Sequence, residues 1–184
     1  MNQIKLIKNK FRKIPDYPIK GVVFQDITPV LLDRDIKNLL LDKLINEAES
    51  DFFPKYDYIA GIESRGFIFA SIISDSLEKG LILVRKAGKL PPPVVSVSYS
   101  TEYSKTTLEI CTANFPKKAK VLIIDDILAT GGSLKAAADL IQMLGGSVSG
   151  FLVIGEISDI SSLIRNTGIE KLEKIAKVKS LFTF

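Results

Sequence analysis

The chain has 184 residues, 46% of them hydrophobic, with 25 Lys and Arg against 21 Asp and Glu for a net charge of +4, one cysteine and no histidine. That length and apolar content support one domain with a sizeable core, and no apolar run reaches the roughly 18 residues of a membrane span. The lone Cys111 excludes an intramolecular disulfide framework, and the lack of histidine removes every Ser-His or Cys-His nucleophile and every His-ligated metal, which leaves acid–base work to Glu, Asp, Lys, Tyr or Cys and any metal to a hard, oxygen-bound ion such as Mg2+.

The first residues are too polar for the apolar region of a signal peptide, so a reducing, cytoplasmic setting is expected. Ile4, Ile7 and Phe11 have helical spacing among lysines and predict a short amphipathic helix over 3–12. Pro15, Pro18 and Gly21 predict a loop over 14–21. Gly21-Val22-Val23-Phe24-Gln25-Asp26-Ile27 then reads either as an edge strand or as an apolar wall for a flat ligand. Asp33 is a plausible N-cap for a helix over 35–49, with Ile36, Leu39, Leu40, Leu44, Ile45 and Ala48 facing inward.

A strand at 57–60 ends in Gly61-Ile62-Glu63-Ser64-Arg65-Gly66, and a helix follows over 67–77. Arg65 at a helix start opposes the macrodipole, which makes sense if it holds an anion. The next strand, 81–84, runs into Arg85-Lys86-Ala87-Gly88-Lys89-Leu90 and three prolines. Those cations suit either a solvated charge run or capture of a polyanion. Residues 94–99 and 107–111 alternate in polarity and predict an antiparallel excursion hung on the sheet, able to act as a lid. Cys111 is expected to be a small core residue there.

Residues 121–133, Val-Leu-Ile-Ile-Asp-Asp-Ile-Leu-Ala-Thr-Gly-Gly-Ser, carry the strongest signal. Four apolar residues, three of them β-branched, predict a strand buried on both faces. Asp125 and Asp126 stand at its carboxyl end, and a helix starts near Leu134, with Leu134, Ala137, Ala138, Ile141 and Leu144 on one side and Gly145-Gly146 as its stop. Glycines and a helix N-terminus after a strand form a phosphate cradle, and adjacent acids suit ribose hydroxyls or a hydrated Mg2+. A Walker A loop is excluded because Gly132 is followed by Ser133 and the lysine comes only at Lys135; a Gly-x-Gly-x-x-Gly fingerprint is absent as well.

Beyond the helix, 148–154 predicts another buried strand. Ser158 is a plausible cap for a helix through Ile164, residues 169–175 predict a further helix, and 178–184 a last strand. Strands alternating with helices argue for an α/β fold with a parallel sheet. The basic clusters at 5–13 and 171–179 read as solvated helix faces rather than a nucleic-acid surface.

Taken in order over about residues 11–157, five of these segments resemble the adenine phosphoribosyltransferase family. Residues 21–30 resemble its adenine-facing strand, 61–67 its pyrophosphate loop, and 85–91 its basic loop. Ser98-Tyr99-Ser100-Thr101-Glu102-Tyr103 with Leu108-Glu109-Ile110 resembles its flap, and 121–133 the phosphoribosyl-pyrophosphate (PRPP) motif shared across type I phosphoribosyltransferases. The resemblance implies a twisted, mainly parallel sheet with helices on both faces, one domain over 1–184, and a small antiparallel flap at about 94–111. It implies purine salvage: adenine and PRPP give AMP and pyrophosphate, with Mg2+ as cofactor and Asp125 and Asp126 as water-mediated candidates to hold it.

Carried over by position, Ala129, Thr130, Gly131, Gly132 and Ser133 would cradle the 5′-phosphate, and Asp125 and Asp126 would face the ribose. Glu63, Ser64, Arg65, Arg85, Lys86 and Lys89 would serve the pyrophosphate. Val23, Phe24, Gln25 and Ile127 would lie near adenine. Glu102 would be the acid–base residue, beside Tyr103 in the flap; on residue chemistry alone it is a surface glutamate in a polar loop. Gln25, Ser64, Thr101, Ser104 and Thr106 depart from the family pattern, and Ser104 and Thr106 bear on flap motion and turnover more than on substrate. The resemblance also implies a homodimer, with the N-terminal region and residues 85–90 as candidate contacts, and no membrane partner. Two other readings remain on these residues: a phosphoribosyltransferase for hypoxanthine or guanine, and a PRPP-sensing nucleic-acid regulator, disfavoured because too few residues precede Phe11 for a helix-turn-helix.

Overall fold

Residues 121–124 point alternately to two sides of a sheet. Val121 and Ile123 belong to one buried cluster, Leu122 and Ile124 to the other, as a strand covered on both faces requires. The structure is a computed structural model that describes residues 3–50, 53–100, 105–158 and 162–184. In chain order its elements are α1 (Gln3–Lys10), β1 (Arg12–Pro15), β2 (Val23–Asp26), α2 (Thr28–Leu32), α3 (Arg34–Glu49), β3 (Tyr58–Ile62), α4 (Arg65–Ser76), β4 (Gly80–Lys86), β5 (Val94–Ser100), β6 (Lys105–Cys111), β7 (Lys120–Leu128), α5 (Gly132–Met143), β8 (Ser147–Glu156), α6 (Ser162–Glu173) and β9 (Val178–Thr183).

The main sheet has the order β5-β6-β4-β3-β7-β8-β9. From β4 to β9 the neighbours are parallel, while β6 runs antiparallel to both β4 and β5. Helix α5, through Leu134, Ala137, Ala138 and Ile141, covers one face together with Leu172 of α6. Helices α1, α3 and α4, through Ile7, Leu40, Leu44, Phe69 and Ile73, cover the other. The helix after β3 therefore lies on the face opposite the helix after β7, although the two strands are neighbours. Strand order reverses there, which opens a crevice at their carboxyl ends where ligands of such sheets collect.

Most expected elements are present. Asp33 caps α3 by accepting a hydrogen bond from the Ile36 N–H at 3.2 Å. The flap strands do hang on the sheet, joined to β4 by two register positions, Arg85↔Glu109 and Lys86↔Leu108. Four expectations change. Ile14 and Pro15 are not loop: they end β1, which pairs with β2 and is pinned by Arg12 on Asp26 at 2.7 Å. Strand β2 accordingly lies in a separate two-stranded sheet and not at the edge of the main one. Cys111 is half-buried rather than core, because strand alternation sends it away from the buried Leu108 and Ile110. The two C-terminal helices are a single helix, α6, which runs through Gly168.

Two lysines of the basic termini meet acids of the α3 region. Lys10 pairs with Asp33 at 2.7 Å and Lys179 with Glu47 at 3.3 Å. Among the described residues no helix is long and apolar enough to cross a membrane.

Candidate active site

Strand β7 does not stop before its acids. It runs through Asp125 and Asp126 to Leu128, so both carboxylates are held by the sheet, and they are only 8% and 3% exposed. Asp125 accepts hydrogen bonds from the Asp126 N–H at 2.9 Å and from the Ser133 hydroxyl at 3.4 Å. Ser133 thus ties the first turn of α5 to the acid pair. Gly131 precedes that helix with φ +77°, and no side chain caps the helix start. The N–H groups there are left for an anion, backed by the positive end of the dipole. The Thr130 hydroxyl lies 3.5 Å from the Gly132 N–H, a weak contact that a ligand can displace.

Arg65 opens α4 and reaches across the crevice. Its Nε stands 2.7 Å from Oδ2 of Asp126, yet that buried oxygen has no hydrogen bond. The contact is therefore an ion pair with a misaligned N–H. The guanidinium also lies 5.0 Å from the centre of the Phe24 ring, and Tyr17 meets the same ring edge-on at 5.3 Å. Phe24, Arg65 and Asp126 form one chain of contacts, with aromatic ring, cation and acid in that order. Gln25 is buried beside them with its Oε1 unpartnered, while Val23 is 47% exposed. Ile127 is half-buried and packs on the α3–α4 side.

The basic loop after β4 is built on two glutamates. Glu63 accepts from Arg85 Nε at 3.2 Å and from the Lys86 N–H at 3.0 Å. Arg85 also donates to the Lys89 carbonyl at 2.9 Å, while the side chains of Lys86 and Lys89 are exposed, as is Ser64. Glu109 of β6 is buried, and it accepts from the Gly88 N–H at 3.0 Å and the Ser96 hydroxyl at 3.1 Å. This glutamate links flap to basic loop, a role the sequence signals only as a charge between two buried residues of an alternating strand. Burial pushes the Glu63 carboxyl up, but the Lys86 N–H and Arg85 outweigh it and hold it below the usual carboxylate range.

Burial, and then the charge of Asp126, push the Asp125 carboxyl well up. Burial also raises Asp126, against the pull of Arg65. Tyr99 of β5 is raised as well, first by burial and then by the charge of Asp125. For carboxyls with raised folded-state values, the stability they lend is complete below the ordinary value of 3.8 and is lost as pH rises through the raised values. Asp125→Asn should therefore melt with wild type near about pH 4 and above it near about pH 8. The lowered carboxyls Asp26 and Glu63 are common to both proteins and cancel in the difference. Thermal melts across pH read the gap, and a gap that shrinks with rising pH contradicts the assignment.

The crevice thus brings together Phe24, Arg65, Asp125, Asp126 and Ser133, with Glu63 and Arg85 at its β4 side. Glu102 and Tyr103 lie outside the described residues. Sequence reasoning missed the Arg65–Asp126 pair, Tyr17, Tyr99 and the organising part of Glu109.

Comparison with known proteins identifies the family. Residues 34–176 match the phosphoribosyl transferase domain family. An adenine phosphoribosyltransferase of Nitrosopumilus maritimus is 41% identical over 174 residues, covering 94% of this chain and 98% of its own. The crystal structure of adenine phosphoribosyltransferase from Thermoanaerobacter pseudethanolicus superposes with a TM-score of 0.88 at 38% identity, over 98% of this chain and 99% of that one. That of the Saccharomyces cerevisiae enzyme, complexed with an imino-altritol bisphosphate and adenine, superposes with a TM-score of 0.83 at 34% identity, over 97% and 98%. A mainly parallel sheet with an acid pair and a glycine turn at its switch point, and full-length relatives of one kind, lead to the same conclusion: this chain belongs to the adenine phosphoribosyltransferase family.

Proposed function

We propose that this protein salvages adenine by transferring to it the phosphoribosyl group of PRPP, giving AMP and pyrophosphate. The observation that carries the reading is the succession of three surfaces at the β3–β7 crevice. An uncapped helix start stands beside a buried acid pair, and the cation paired to those acids rests on an aromatic face. A ligand made of a phosphate, a ribose and a flat base needs those surfaces in that order.

In this reading Ala129 to Ser133 receive the 5′-phosphate on backbone N–H groups. Asp125 and Asp126 accept hydrogen bonds from the ribose hydroxyls. Arg65, Arg85, Lys86 and Lys89 attract the pyrophosphate, with Glu63 and Ser64 shaping their loops. Val23, Phe24, Gln25 and Ile127 surround the base. The domain spans 1–184, and the flap at about 94–111, the segment that carries Glu102 and Tyr103, closes over both ligands.

The C1′–oxygen bond to pyrophosphate breaks as adenine N9 bonds to C1′, and the electron pair leaves with pyrophosphate. Positive charge gathers on the ribose ring and negative charge on the leaving group, so the cations of Arg65 and Arg85 gain strength where charge develops. Glu102 accepts the N9 proton or polarises N7. Closure excludes water, which would otherwise hydrolyse PRPP.

Two carboxylates, one with an orphaned buried oxygen, fit a Mg2+ that keeps its waters and arrives on substrate phosphates, rather than an all-protein cage. Among the described residues no group of three acids could form such a cage. Asp125 and Asp126 would hold Mg2+ through water, and when bound it supplies charge neutralisation on the pyrophosphate. The single cysteine suits a cytoplasmic enzyme.

A homodimer belongs to the same reading. Leu81 and Leu83 alternate on β4 at 40% and 41% exposure, and Ile68 and Ile72 lie one turn apart on α4 at 37% and 36%. Ile82 and Val84 point to the α5 side, so Leu81 and Leu83 share the α4 side and stay partly exposed there. This apolar face adjoins the basic loop at 85–90 and fits a second copy. Sedimentation equilibrium reads it; a monomer at micromolar concentration rejects it.

The deciding experiment offers adenine, hypoxanthine and guanine with PRPP and Mg2+ and follows pyrophosphate release. AMP from adenine, far ahead of the other nucleotides, is expected. Turnover with another base and none with adenine overturns the reading.

A further inference from the structure

Helix α6 contains a glycine in its interior, Gly168. A glycine there makes a weaker helix than an alanine would, so the reason for it lies in what it touches. A Cβ on Gly168 would stand 2.2 Å from the Thr130 carbonyl oxygen, 3.0 Å from the Thr130 carbonyl carbon and 3.8 Å from the Gly131 nitrogen. The distances grow in the order oxygen, carbon, nitrogen, so the Thr130 C=O points at α6. The Thr130–Gly131 peptide is not among the cis bonds. In a trans peptide the N–H lies opposite the C=O, so the Gly131 N–H is aimed away from α6. The loop side of the contact is also a glycine. A Cβ on Gly131 would meet Leu172 Cδ1 of the same helix at 3.2 Å, and Leu172 is fully buried.

We propose that Gly168 is a positioning residue for substrate binding: by letting α6 rest directly on the Thr130–Gly131 peptide, it fixes the direction of the N–H that receives the sugar phosphate. The inference rests on the reading of residues 129–133 as the phosphate site and adds to it an element from outside the motif. Gly168 itself touches no ligand; α6 acts on the loop from behind.

Gly168→Ala tests this. Its methyl must push the Thr130 carbonyl back by about 1 Å to regain ordinary contact, and a misplacement of that size can cost on the order of a hundredfold. The expected result is a crystal structure with the 129–133 loop displaced. AMP affinity by calorimetry should fall at least about tenfold, and KM for PRPP should rise by a similar factor, while KM for adenine changes little. Gly150→Ala is the control. Its Cβ would be equally crowded, 2.2 Å from Phe53 Cδ1, but on β8 and against a core ring, so it should lower the melting temperature and leave AMP affinity alone. A Gly168→Ala loop that has not moved, with wild-type AMP affinity, overturns the inference. A displaced loop with unchanged AMP affinity overturns instead the phosphate reading on which it rests. Should Gly168→Ala not fold, Leu172→Ala carries the test, because it frees the other flank of the loop without a clash. Weaker AMP binding then supports the role of α6, and wild-type binding rejects it.

Discussion

Arg65→Ala is expected to lower kcat/KM for PRPP by about a hundred- to a thousandfold, the usual cost of removing one donor to developing charge. Three losses combine. The proposed pyrophosphate partner goes. The buried Asp126, paired with Nε at 2.7 Å, loses its only described cation, which leaves a buried charge uncompensated. Phe24 loses the guanidinium on its face, worth about 0.5–1 kcal/mol at a partly exposed site. Arg65→Lys restores charge but not the planar fork that spans both neighbours, so only part of the activity should return. Steady-state kinetics with melting curves separates the terms. An alanine variant within tenfold of wild type would remove Arg65 from the mechanism.

The second large effect is Glu102→Ala. Loss of a positioned acid–base group should reduce kcat by about a hundred- to ten-thousandfold, while PRPP binding, made on other loops, should largely survive. The paired ends of β5 and β6, Ser100↔Lys105, bound the segment that carries it. Tyr99, next to that segment, is raised first by burial and then by the charge of Asp125. Glu102→Gln distinguishes the proton role from a hydrogen-bond role, since the amide keeps the shape and loses the proton chemistry. Undiminished turnover in Glu102→Ala would return this residue to a solvated surface glutamate.

What the sequence determined by itself was local. The β-branched run at 121–124 had to be extended and doubly buried, the glycine turn after it had to start a helix, and Asp33 had to cap α3. Periodicity and capping act within a few residues and need no partner. The acids, the glycine turn and the basic loop could be read for the same reason: their chemistry lies in contiguous residues. Only the tertiary structure decided which of them meet. Arg65 faces Asp126 and Phe24 because α4 and α5 lie on opposite sides of neighbouring strands. Arg12 makes a strand of residues next to a proline by pairing with Asp26, fourteen positions away. Glu109 serves a loop twenty-one residues upstream. Gly168, which falls between the two helices expected from the sequence, lies inside one helix, where the Thr130 carbonyl occupies the space a side chain would take. Contacts of this kind depend on shape at a distance along the chain, and no local pattern of residues encodes them.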